Sequence, residues 1–176
     1  MGFSLEDEQF MKLALDGARQ SLLKNNYPIS AVLVIDGNYV DQKSNTLFEN
    51  KDWSSHAESM LIREHATLIK EQVKEKKSLI EVYTTLEPCL MCLGTMVLSR
   101  VSRIVYASPD PVGGVSHIDP NTLSFWYQSK WPRIEGMLFK EESYDLLIKF
   151  MHAQQEKSEI FLTMVPAFEA MHASWK

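Results

Sequence analysis

Leu79-Ile80-Glu81-Val82-Tyr83-Thr84-Thr85-Leu86-Glu87-Pro88-Cys89-Leu90-Met91-Cys92 decides the fold. Its first eight residues alternate around Ile80, Val82 and Thr84, as a β-strand with two distinct faces does. Pro88 then marks a helix start, where proline's missing N–H costs nothing because that donor is unpaired anyway. The helix runs from about Cys89 to Arg100 and carries Met91, Leu93, Met96, Val97 and Leu98. Gly94 within it is expected to allow close packing. Ile104 to Ala107 follows as another strand. A strand, a helix and a strand so tightly spaced form a right-handed parallel crossover.

Upstream, Ile29 to Ile35 is an almost unbroken apolar run, which suits a strand buried on both faces. Asp36-Gly37 is a turn signal, and Tyr39-Val40 lies on the antiparallel partner strand. Ser4 caps a first helix that runs to about Lys24. After a short polar loop from Glu49 to Trp53, a second long helix starts at about Ser55. Trp53 is expected to pack against that helix, and His65 to sit on its surface. Downstream, Ser108 to Pro120 reads as a loop in which His117 is solvated. Phe125, Trp126, Tyr127 and Trp131 read as core or interface. Arg133 to Phe139 makes a fifth strand, and Glu141 to Ala153 a last amphipathic helix. The tail from Glu159 to Lys176 is apolar and expected to pack, with Pro166 breaking it. The fold class is α/β: a three-layer α/β/α sandwich on a five-stranded mixed sheet, in which only strand two runs antiparallel to its neighbour.

Cys89 and Cys92 are three apart, hence on one face of their helix. With His56 they offer two thiolates and an imidazole, a donor set that suits zinc. The chain has only these two cysteines, so a site of three or four thiolates is excluded. Three protein ligands leave the fourth position for water, the arrangement of a catalytic site, unless one of the four other histidines fills it. Glu58, two residues after His56, is free to move protons. Each feature alone has an ordinary reading. Glu58 can complete a capping box with Ser55, Cys-x-x-Cys can be a redox pair, and His56 can be a plain helix-start residue. Together they spell H-x-E…P-C-x-x-C, the signature of zinc nucleobase deaminases.

The chain resembles the cytidine deaminase-like superfamily, in the branch of tRNA adenosine deaminases, guanine deaminases and bacterial nucleoside deaminases. The resemblance rests on Pro28 to Val34, Asn45, His56-Ala57-Glu58, Tyr83 to Met96, Ser99 to Tyr106, and Asp110 with Gly113-Gly114. It covers about residues 5 to 155 of a single deaminase domain, leaving 156–176 as an extension. It implies strand order 2-1-3-4-5, with His56, Cys89 and Cys92 as zinc ligands and Glu58 as proton shuttle. It also implies that Asn45 hydrogen-bonds the base, that the backbone at Ala31 and Ala57 lines the pocket, and that the protein is a homodimer. The tails of tRNA adenosine deaminases tend to be basic and helical; this one does not read so.

At 176 residues and 45% hydrophobic content the chain suits one domain. No apolar run approaches a membrane span of about 20 residues. Thiolate ligands favour a reducing compartment, so the cytoplasm is expected. The net charge of −5 disfavours nucleic acid as a partner, although a local basic patch would suffice. The expected function is zinc-dependent hydrolytic deamination of a nucleobase amine, with a free base or nucleoside as substrate. The alternatives are adenosine-to-inosine conversion in tRNA, a non-catalytic zinc module and a thiol redox protein.

Overall fold

The computed structural model describes residues 2–154 and 159–175. The first residues of the extension, 156–158, and Lys176 lie outside them. Helix α1 spans Leu5–Leu23 and starts in a reciprocal capping box. Ser4 Oγ accepts from the Asp7 N–H at 3.1 Å, and Asp7 Oδ2 accepts from the Ser4 N–H at 2.9 Å. Strand β1 (Ser30–Ile35) turns into β2 (Asn38–Ser44) through Asp36 and Gly37. Both turn residues have positive φ, 50° and 75°, the left-handed pair that matches the twist of a tight hairpin. Helices α2 (Leu47–Asn50), α3 (Ala57–Glu64) and α4 (Ala66–Glu71) follow, then a π-helical segment, Gln72–Lys76. Strand β3 (Ile80–Leu86), helix α5 (Leu90–Leu98) and strand β4 (Arg103–Ser108) form the expected crossover. The chain continues through α6 (Phe125–Gln128), β5 (Arg133–Glu135), α7 (Lys140–Gln154) and α8 (Glu159–Ala173).

The sheet order is β2-β1-β3-β4-β5, as expected. The strand directions differ in one respect. β1 is antiparallel to both β2 and β3, while β3, β4 and β5 run parallel. The reversed strand is therefore β1, not β2. The helices after β2 carry the chain back across the sheet, so β3 enters in β2's direction with β1 between them.

Strand alternation sorts the core into two layers. Ala31, Leu33 and Ile35 face α3 and α5, packing with Leu61, Ile62, Leu93 and Met96. Val32 and Val34 face α1, packing with Met11, Ala14 and Leu15. A third cluster joins α7 to α8 through Tyr144, Leu147, Phe150, Phe161 and Phe168. Arg103 ties α1 to the sheet: its guanidinium meets Asp7 at 2.6 Å, Glu135 at 2.6 Å and Glu81 at 3.0 Å.

Several local expectations give way. Glu49 and Asn50, the start of the expected polar loop, belong instead to helix α2. The second long helix breaks at His65, whose Nε2 lies 2.8 Å from Asp41 of β2; this pairing makes it a tertiary contact rather than a free surface residue. Trp53 is 86% exposed rather than packed, because it sits in a turn before α3. Phe125 is likewise exposed, which excludes the core for it and leaves the interface reading. A Cβ at Gly94 would meet nothing within 4 Å, so close packing does not explain that glycine. Strand five is cut to three residues. The tail is helical after all, and Pro166 lies inside α8 without ending it. Burial of Phe161, Val165 and Phe168 against α7 offsets the missing N–H donor.

Candidate active site

The residues of the H-x-E and P-C-x-x-C stretches meet at one end of the sheet. His56 is the N-cap of α3 and Cys89 the N-cap of α5, each with extended backbone. The helix therefore starts after His56, not at Ser55. Two helix starts thus face each other. His56 Nδ1 lies 3.6 Å from Cys89 Sγ and 3.6 Å from Cys92 Sγ. Zinc bonds of about 2.3 Å to sulfur and about 2.0–2.1 Å to nitrogen, at a tetrahedral angle, space those atoms by about 3.6 Å. The group therefore fits zinc in donor type and in spacing. The Cys92 thiol beside it pulls Cys89 down to about 4, with His56 helping against burial. Cys89 is then a thiolate at neutral pH, the form that ligates metal. The same contact with Cys89, followed by burial, pushes Cys92 up.

Glu58 is 3% exposed and sits in the first turn of α3. Thr84 Oγ1 donates to its Oε1 at 3.1 Å, and Oε2 lies 3.5 Å from Cys92 Sγ. Burial pushes its carboxyl above the ordinary range, which suits a group that must both take and give protons. The capping-box reading fails: α3 has no side-chain cap, and Ser55 Oγ bonds Asp52 instead. The redox-pair reading loses ground because one imidazole nitrogen is equally close to both sulfurs, as a shared metal requires and a dithiol does not.

A cavity of about 220 Å³ opens beside His56, Glu58 and Cys89. Asn45 lines it and is 2% exposed. Its Oδ1 accepts from the Leu47 N–H at 3.0 Å, while its amide nitrogen has no partner among the described residues. Ala31 and Ala57, whose backbone is expected at the wall, are fully buried and are not among the cavity's lining residues, whereas Ile29 is. His117 is exposed and is not among the cavity's lining residues, in keeping with a solvated loop histidine.

Several wall residues carry no functional signal in the sequence. Met164 and Phe168 of α8, with Leu147 and Met151 of α7, close the apolar side. Glu87 organises the opposite loop, its carboxylate accepting from the Asp110 N–H at 2.9 Å and the Ser116 N–H at 2.8 Å. A Cβ on Gly114 would run into that carboxyl and into the Asp110 carbonyl, so only glycine fits there. Asp110 itself reaches the cavity, and burial pushes its carboxyl up. The apolar content of the tail is the one available signal for α8, but it gives no destination.

Three ligands spaced for zinc, beside a buried carboxylate at the carboxyl ends of β3 and β4, define the class: a zinc-dependent hydrolytic deaminase. Residues 4–108 match the model of the cytidine and deoxycytidylate deaminase zinc-binding region. The chain belongs to that family, and zinc is its cofactor. It is 32% identical over 148 residues to a tRNA-specific adenosine deaminase of Aquifex aeolicus, covering 81% of this chain and 92% of that protein. It is 32% identical over 154 residues to the protein of the same name from Bacillus subtilis, covering 88% and 94%. A solved structure from work on A-to-I editing by tRNA:A34 deaminases superposes with a TM-score of 0.67 at 32% identity, covering 79% of this chain and 99% of that one. These relatives overturn the expectation of a free base or nucleoside as the small-molecule partner. The whole-chain charge on which that expectation leans averages over the surface and says nothing of a local patch.

Proposed function

We propose that this protein converts adenosine to inosine within a tRNA. The observation that carries the reading is the 32% identity to tRNA-specific adenosine deaminases over four-fifths or more of the chain. His56 Nδ1, Cys89 Sγ and Cys92 Sγ would hold zinc, which when bound would supply a Lewis acid and an activated water. Glu58 takes a proton from the attacking water, delivers one to the ring nitrogen, and helps the amine leave. A C–O bond forms at the ring carbon and the C–N bond to the exocyclic amine breaks, releasing ammonia. Thr84 holds Glu58 in place through the whole sequence. Asn45 offers its unpartnered amide nitrogen to the base. The cavity of about 220 Å³ is on the scale of one base turned out of its stack, and the walls from α7 and α8 keep bulk water away. Two free thiols as ligands suit a reducing compartment such as the cytoplasm.

The test is inosine formation in tRNA transcripts by the zinc-loaded protein, run beside ammonia release from guanine, cytosine, adenine and their nucleosides. Inosine in tRNA with no turnover of the free compounds is expected. Ammonia from a free compound, with tRNA unchanged, would overturn the reading.

A further inference from the structure

A groove of about 810 Å³ lies at the other end of the sheet from the active site, lined by residues that precede β3, β4 and β5, together with residues of α4 and the π-helical segment. Lys70, Lys74, Lys77, Arg100 and Lys130 line it, and no carboxylate does. In a chain of net charge −5 this is a marked separation of sign. None of the five forms an ion pair among the described residues, whereas Lys12, Arg19, Lys43, Arg103, Arg133 and Lys140 all do. Glu71 and Glu75, which alternate with these lysines in sequence, line a neighbouring shallow surface instead, on the far side of Lys70 and Lys74. Lys130 is tied down, with its Nζ donating to the Trp126 carbonyl at 2.8 Å and lying over the Trp126 ring. Burial and then the Arg100 guanidinium push its ammonium below the usual range. Val73, Val101 and Trp131 give the groove an apolar floor.

Two backbone features shape the cationic rim. The π-helical turn widens the spacing along Gln72–Lys76, and Lys77 ends it at φ 55°, in the left-handed region. π-Segments are rare and concentrate at functional places.

We propose that this groove binds the phosphodiester backbone of the RNA whose base enters the active site. The identity of that RNA rests on the tRNA reading above; the polyanion chemistry of the groove does not. The link between the two places is α5. Its first turn carries Cys92 beside the N-cap Cys89, and its last turn opens on Leu98 to Arg100 of the groove. Nine helical residues span roughly 14 Å. A few nucleotides cover that distance at roughly 3.4 Å per step of one duplex strand. A strand that seats one base in the cavity therefore has phosphates within reach of the groove.

The test uses the full-length zinc-loaded protein and the triple variant Lys70→Glu, Lys74→Glu, Lys77→Glu, with a tRNA transcript as probe. Binding is followed by fluorescence anisotropy across a salt series, and deamination by kcat and KM. The variant should bind at least about tenfold more weakly, and its plot of log affinity against log salt should be shallower by about two to three units. Zinc content, and kcat at saturating tRNA, should stay at the wild-type value. Unchanged affinity and salt slope would overturn the proposal. So would triphosphate binding that the variant abolishes while RNA binding persists, because the groove would then serve a small polyanion. If wild-type protein binds RNA through the groove yet forms no inosine, the tRNA reading falls and the groove stands. If the variant deaminates tRNA with an unchanged KM, the groove falls and the tRNA reading stands.

Discussion

Glu58 and its neighbours carry the sharpest predictions. Glu58→Gln keeps the shape and the Thr84 contact but removes the proposed proton carrier. Turnover should fall by roughly a hundred- to ten-thousand-fold with zinc retained, measured by inosine formation and by metal analysis. Cys92→Ala removes one of the three proposed zinc ligands, so the purified variant should contain little zinc. These residues are legible in the sequence because metal chemistry narrows the choice of side chain and spacing so severely. Asn45 is legible only through resemblance, since an asparagine after a hairpin has an ordinary turn reading. Glu87 stands beside Pro88 in plain view, yet its role is not legible. That role depends on Asp110 and Ser116, which the fold brings back to it from more than twenty positions away.

Helix α8 shows the same limit one level up. Its apolar content predicts packing, and the packing is there; what the composition does not encode is that Met164 and Phe168 face the catalytic cavity. Phe168→Ala should raise KM and destabilise the fold by roughly 3–5 kcal/mol, read from denaturant unfolding. Met164, which is only partly buried, separates the two effects: Met164→Ala should raise KM at a smaller stability cost. Strand identity is legible from alternation and turn residues, which are local signals, whereas strand order is legible only through the resemblance. Strand direction is not, because the reversal of β1 relative to β3 is set by where the intervening helices return the chain. Pro166 escapes local reading for a related reason. A local rule says that proline ends a helix, and tertiary burial of its flanking aromatic and aliphatic residues overrides it.

Across the molecule, charge is organised more strongly than the net value suggests. Carboxylates surround Arg103 where α1 meets the sheet, and cations gather without ion-pair partners among the described residues at the amino ends of the parallel strands. Burial pushes the Asp7 carboxyl up, but hydrogen bonds from Arg103, Ser4 and Tyr83 outweigh it and hold it well below the usual range. A lowered native value means that this contribution is complete at neutral pH. It is lost as pH falls from the ordinary carboxylate range, about 4, toward the native value. Thermal melts should therefore show Tm dropping below about pH 4, and less steeply in Asp7→Asn, which should itself cost roughly 2 kcal/mol at pH 7. Finally, the wall that α8 gives to the cavity has a bearing on biosynthesis. Translation completes the metal-ligand set at Cys92, long before it reaches Phe168. The nascent polypeptide thus acquires its means of capturing metal well ahead of the last side of its substrate chamber.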